Sequence, residues 1–96
     1  MSECCSIGEA QSFIRAAVAG HELVYFTADN SYGYKGLDYC LKVQPDQNLR
    51  TVTNIMRRNF NGGFIDLVQR RVAHRTYYLA RYRKRRRAVS GFFEVM

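Results

Sequence analysis

Gln47, Arg50, Asn54, Arg57 and Arg58 recur at a spacing that gathers all five within about 100° of arc on a helix of 3.6 residues per turn. Guanidinium forks and amides are the side chains that meet phosphate oxygens and base edges, and no carboxylate stands among them. A second set, Arg70, Arg71, His74 and Arg75, surrounds the pair Ala73-His74. A third, Arg83, Lys84, Arg85, Arg86 and Arg87, is an unbroken basic run. The chemistry on offer is anion recognition, with base reading added by the first set. The charge balance points the same way: the chain has 15 Lys and Arg against 8 Asp and Glu, a formal net charge of +7. Residues 1–49 hold three cations and six anions, so −3, while residues 50–96 hold twelve cations and two anions, so +10. Eleven of those twelve cations are arginine, the residue suited to phosphate and to guanine edges, so a nucleic acid is the expected partner.

Other chemistries find little support. No carboxylate pair has a defined spacing, no GxSxG or phosphate-cradling glycine loop occurs, and Gly62-Gly63 reads as a helix stop. Cys4 with His21 or His74 could be imagined as thiol and base, but Cys4 sits close to a terminus expected to fray. No enzyme is expected. The three cysteines are an odd count, two of them adjacent and Cys40 far off, with no CxxC and no ligand spacing to either histidine. Neither a metal, a cofactor nor a disulfide framework is therefore expected. No stretch approaches the roughly 18 apolar residues of a membrane span, and MSECCSIGEAQ has no basic leader or apolar signal core. The expectation is a soluble, intracellular (cytoplasmic) protein with no membrane partner.

These cations need a frame, and 96 residues at 47 % hydrophobic and 24 % charged suffice for one small folded domain. Ser6-Ile-Gly-Glu9 is a capping box, followed by Ala10, Phe13, Ile14, Ala17 and Val18 on one helical stripe and Gly20 as stop. The spacing predicts a helix over 6–19. Glu22 to Thr27 is β-branched and aromatic and predicts a short strand; Ser31 to Gly36 reads as a loop or helix entry. Leu37 to Val43 fits either a strand or a helix, because its apolar residues alternate yet also share a helical face. A helix is predicted over 46–60, capped by Asp46, with Leu49, Val52, Ile55, Met56 and Phe60 opposite the basic face. Phe64 to Val72 and Arg75 to Tyr82 predict a hairpin in which Ile65 and Leu67 share a face with Tyr78, Ala80 and Tyr82, and Asp66 lies opposite Arg81.

Helix, strand, helix or loop, helix, strand, basic tip, strand is the order of a winged helix-turn-helix domain. The expected fold is α+β, a single small winged helix-turn-helix-like domain over 1–82, with a three-stranded sheet whose hairpin forms the wing. Residues 83–96 follow as a basic arm and an apolar tail. The segment GGFIDLVQRRVAHRTYYLARYRK, through Gly63, Leu67, Val68, Gln69, Arg70, Arg71, Tyr78, Ala80 and Arg81, resembles the C-terminal half of small winged-helix-like DNA-binding proteins of phages and prophages. The resemblance implies a regulator of phage or mobile-element origin. On this reading Gln47, Arg50, Asn54, Arg57 and Arg58 enter the major groove, Arg70, Arg71 and Arg75 form the wing contact, and Arg83 to Arg87 track phosphates. DNA is favoured over RNA, and a homodimer is a further expectation, with Phe92 and Phe93 the only hint of where it forms. Two alternatives stand beside it: a small inhibitor that docks on a host nucleic-acid-handling protein, with Tyr32, Tyr34 and Tyr39 exposed and Tyr39 otherwise core, or an RNA-binding protein working through the arginine arm.

Overall fold

Ser6 opens the first helix as its spacing predicts: its Oγ accepts from the Glu9 amide at 3.0 Å, and its own amide donates to Glu9 Oε1 at 2.8 Å. The structure, a computed structural model, describes residues 3–83. Its elements are β1 (Glu3–Cys4), α1 (Ile7–Ala16), β2 (Glu22–Asp29), α2 (Asn30–Gly33), α3 (Leu37–Val43), α4 (Gln47–Asn61), β3 (Ile65–Val72) and β4 (Arg75–Tyr82). Among the described residues this is an α+β arrangement of four helices and one four-stranded antiparallel sheet in the order β1-β2-β4-β3. The predicted residues 84–87 of the basic arm and the tail with Phe92 and Phe93 lie outside the described residues.

The sheet has four strands, not the expected three. Glu3 and Cys4 pair with Thr27 and Phe26, and the Cys5 amide donates to the Tyr25 carbonyl at 3.0 Å, so the segment expected to fray is an edge strand. A two-residue strand has no periodicity of its own; its partner makes it. The first helix ends at Ala16 rather than 19, because Ala17 turns extended and Gly20, at φ 92°, sends its amide to the Tyr82 carbonyl. Val18 consequently leaves the apolar stripe and is exposed. Residues 37–43, open between two readings, are helical, and the loop before them holds the short α2.

The hairpin has the predicted register, with Ile65 opposite Tyr82, Asp66 opposite Arg81, Leu67 opposite Ala80 and Val72 opposite Arg75. Its two-residue turn places Ala73 at φ 55°, a conformation that costs a residue with a Cβ about a kilocalorie. Asn30 holds it there. The Asn30 amide donates to the His74 carbonyl at 2.9 Å, its Nδ2 donates to the Ala73 carbonyl at 3.2 Å, and its Oδ1 accepts from Thr76 Oγ1 at 2.6 Å. At the other end of the hairpin, α4 stops in a Schellman motif: the Phe64 amide reaches the Asn59 carbonyl and the Gly63 amide the Phe60 carbonyl, both at 3.0 Å, with Gly63 at φ 83°.

The helices cover one face of the sheet. Ala10 and Ala17 from the first helical segment, Leu37 and Cys40 from α3, and Leu49, Val52 and Met56 from α4 form one core with Phe26, Ala28, Ile65, Tyr78, Ala80 and Tyr82. A bulge between Val24 and Phe26 breaks the alternation of β2, so that Tyr25 and Phe26 are both buried. The Phe26 and Tyr78 rings lie 5.8 Å apart, and Phe13 meets Tyr82 edge-on at 6.1 Å. On the opposite face, cross-strand pairing sets Val24, Leu79 and Val68 side by side across β2, β4 and β3. Leu79 is buried, whereas Val24 and Val72 are exposed.

Candidate nucleic-acid interface

Asp46 Oδ1 caps α4 by accepting from the Asn48 amide at 2.9 Å, and Asn48 Nδ2 donates to the Cys5 carbonyl at 2.9 Å. The first turn of α4 is thereby fastened to the end of β1. Leu49, Val52, Thr53 and Met56 face inward, and Gln47, Arg50, Asn54 and Arg58 are exposed on the other side, as the spacing predicts. Phe60 departs from its predicted inward place and is 43 % exposed, since the helix ends one turn beyond the core.

The two adjacent arginines leave the face on different flanks. Arg57 Nη2 lies 2.8 Å from Asp38 Oδ1 of α3, and its side chain, 43 % exposed, borders a cleft with Tyr25, Leu37 and Leu67. Burial and nearby groups push the Tyr25 phenol well above its ordinary value, so beside Arg57 it stays neutral. Arg58 instead borders a shallow groove between α1 and α4 with Gln11, Ile14, Arg15, Ile55 and Asn59. Sequence reasoning missed Gln11 and Arg15 of α1 as neighbours of the basic face. Nothing in their spacing signals it, because the angle at which two helices cross is set by packing. Asn59 is itself occupied, its Nδ2 donating to the Ile55 carbonyl at 2.8 Å.

The hairpin cations separate onto both faces of the sheet. Arg71 lies on the helix-bearing side with its guanidinium 4.3 Å from the centre of the Tyr34 ring. Arg70, on the opposite face, is 3.5 Å from Glu22, which also accepts from Arg81 at 2.9 Å. Arg81, with Arg70 beside it, holds the Glu22 carboxyl below its ordinary value. Arg75 Nε donates to Thr27 Oγ1 at 3.2 Å, and Arg83 reaches Asp66 at 2.6 Å. The expected wing patch of Arg70, Arg71 and Arg75 is therefore divided, with Arg71 alone turned toward the helices. Lys84, Arg85, Arg86 and Arg87 fall outside the described residues.

Between the hairpin tip and α4 lies the aromatic stretch Tyr32 to Tyr39. Tyr34 is 58 % exposed and Tyr39 37 % exposed, so Tyr39 is a surface residue and not part of the core. Lys35 Nζ sits 5.2 Å from the Tyr39 ring centre, and Tyr39 meets Tyr32 edge-on at 6.1 Å. The Tyr32 hydroxyl is anchored, 3.1 Å from the Cys40 carbonyl oxygen and 3.0 Å from Gln44 Oε1. Contacts thus run Arg71 to Tyr34, Lys35 to Tyr39 and Asp38 to Arg57, linking the tip to α4 through residues 34–39. Two tyrosines flanked by glycines in SYGYKG were the signal for this surface.

Comparison with known proteins finds no match among family models, curated proteins or solved structures. Among the described residues no group of three or more His, Cys, Asp or Glu is placed to hold a metal ion, and no helix is long and apolar enough to cross a membrane.

Proposed function

We propose that this chain binds nucleic acid, with duplex DNA as the ligand and α4 as the element that enters the major groove. The observation that carries the reading is the solvent face of α4, where Gln47, Arg50, Asn54 and Arg58 are exposed without a carboxylate among them. The connectivity supports a winged-helix arrangement: α1, β2, α3, α4, β3 and β4 follow its order, and β4 lies between β2 and β3. On this reading β1 and α2 are additions, and Arg71 at the tip supplies the wing contact. A regulator of a phage or mobile element is the role that the resemblance of residues 62–84 suggests. Anisotropy of a labelled duplex tests it, comparing the full chain with an Arg50→Ala/Asn54→Ala/Arg58→Ala variant at two salt concentrations. If about five phosphates are neutralised, log affinity falls with log salt at a slope of roughly −4 to −5. The triple variant is expected to lose base preference and keep weak binding. Binding that ignores salt, or a variant that reads sequence as well as the parent, overturns the proposal.

A second reading is favoured by the exposure of Tyr34 and Tyr39, since rigid aromatic side chains beside cations suit a protein interface. A stoichiometric protein partner lost on Tyr34→Ala, with no duplex binding at moderate salt, would select it. Competition between duplex DNA and structured RNA separates the DNA reading from an RNA ligand.

A further inference from the structure

β3 is an edge strand eight residues long, paired with β4 on one side and with no strand on the other among the described residues. Its pairing with β4 is continuous from Ile65 to Val72, without a bulge, and it contains neither proline nor lysine, two of the devices that blunt an edge. Which backbone groups point outward follows from the turn. Val72 and Arg75 flank a two-residue loop and form a hydrogen-bonded pair, and such pairs alternate along an antiparallel ladder. Val72, Arg70, Val68 and Asp66 therefore direct their amides and carbonyls to β4, while Arg71, Gln69 and Leu67 direct theirs to the open side; Ile65 shares their orientation but is buried and closed to a partner. Leu67, Val68 and Gln69 also border an open cleft with Leu37 and Arg57, so the middle of the strand is reachable.

We propose that this edge pairs antiparallel with the same edge of a second copy, on a two-fold axis through Val68, to form one continuous eight-stranded sheet. Side-chain complementarity selects both the occupant and the register. Centred on Val68, the pairing sets Leu67 against Gln69, twice across the axis, as the hydrogen-bonded pairs, using only outward-pointing groups. Asp66 then meets Arg70 of the second copy, twice, and Val68 meets Val68, all at the non-hydrogen-bonded positions where side chains approach most closely. Shifting the centre to Leu67 puts Asp66 against Val68, and shifting it to Gln69 puts Arg70 against Val68 and Asp66 against Val72. Centring on Arg70 opposes like charges. Only the Val68 register matches both charge and apolar character on that face.

The existing contacts extend through the junction. Arg83 is paired with Asp66, and Arg70 with Glu22, so the row across the two-fold alternates in sign: Arg83, Asp66, then Arg70, Glu22 and Arg81 of the other copy. The valine and leucine row Val24, Leu79 and Val68 continues into its own mirror order. Both copies keep their helices on the same side of the sheet. This inference stands apart from the nucleic-acid reading, because it concerns the strand edge and is tested without nucleic acid.

Sedimentation velocity over a concentration series tests it on the full chain and on two single variants, Asp66→Arg and Arg70→Asp. The parent is expected to shift from monomer to dimer as concentration rises. Each variant alone opposes like charges twice across the axis and is expected to stay monomeric. Mixing the two variants restores two complementary pairs, so the mixture is expected to dimerise. Far-ultraviolet circular dichroism of each variant, matching the parent, establishes that it is folded. Amide exchange on the parent supplies a second readout: Leu67 and Gln69 gain protection with concentration, while Val68 and Arg70, already bonded to β4, do not change. A parent that remains monomeric up to about 1 mM, where even weak association registers, overturns the proposal. So do single variants that dimerise like the parent, a mixture that stays monomeric, or protection that does not alternate.

Discussion

Replacing Asp38 by Asn releases a cation that the folded chain currently restrains. Asp38 Oδ1 lies 2.8 Å from Arg57 Nη2, with the Asp38 side chain 85 % exposed and that of Arg57 43 % exposed. A pair this wet contributes about 0 to 1 kcal/mol to stability, and with ΔΔG near 1 kcal/mol the melting temperature falls by about 4 to 8 °C at most. On the proposed nucleic-acid reading, the effect on binding has the opposite sign. Freed from its partner, Arg57 joins Arg50 and Arg58 on the α4 surface, and the anion that would repel a phosphate is gone. One added phosphate contact steepens the salt slope by about 0.9, which amounts to roughly eightfold tighter binding at about 0.1 M salt relative to about 1 M. Anisotropy titrations of Asp38→Asn at several salt concentrations measure both quantities. The double variant Asp38→Asn/Arg57→Ala is expected to lose most of the gain, which separates the freed guanidinium from the mere loss of a negative charge. An Asp38→Asn chain that binds no more tightly and keeps the parent slope would refute the placement of α4 against the phosphates.

Three other outcomes follow from particular side chains. Thr53 Oγ1 in α4 is buried with no hydrogen-bond partner, so Thr53→Val, equal in shape, is expected to stabilise the fold by about 1 kcal/mol, read as a melting temperature raised by about 4 to 8 °C. Glu22 is more acidic in the folded chain than in the unfolded one because of Arg81 and Arg70, so its stabilisation is present above the unfolded value of 4.5 and is lost as pH falls through the lower folded value. Glu22→Gln should therefore lower stability at neutral pH and flatten the acid limb of a denaturation profile; an unchanged limb contradicts it. Among the described thiols, Cys5 is the most readily ionised, helped by a hydrogen bond from Cys4, whereas the thiols of Cys4 and buried Cys40 are pushed upward. Mass-resolved alkylation at neutral pH is expected to label Cys5 first and Cys40 last.

Local features were legible in the sequence because neighbouring residues determine them. The Ser6–Glu9 box, the Gly63 stop and the hairpin register each depend on a few adjacent positions, and each stands as its residues predict. What escaped the sequence depends on distant partners. Glu3 and Cys4 become a strand only through Phe26 and Thr27, and Leu37 to Val43 is decided as a helix by burying Leu37 and Cys40. The same division runs through the candidate site. Helical period placed Arg50, Asn54 and Arg58 on the solvent face of α4, but only Asp38 on a neighbouring helix draws Arg57 aside, and only Tyr34 draws Arg71 toward the helices. A period reports which side of an element a residue occupies, not which neighbour reaches it first.

The three hydrogen bonds from Asn30 to the hairpin turn have a geometric consequence. A hairpin of eight-residue strands joined by an unbraced turn behaves as a lever, and the distance from its tip to a neighbouring helix varies from moment to moment. Here the first residue of α2 grips the carbonyls of both turn residues and the hydroxyl of Thr76. β4 is moreover paired with β2 from Glu22–Arg81 to Asp29–Arg75, so the hairpin is held in the sheet from its root to its tip. Held along its length, it acts as a calliper whose opening is set when the chain folds. On the nucleic-acid reading, a ligand that reaches from the hairpin tip to α4 would be selected by its span as well as by its contact chemistry.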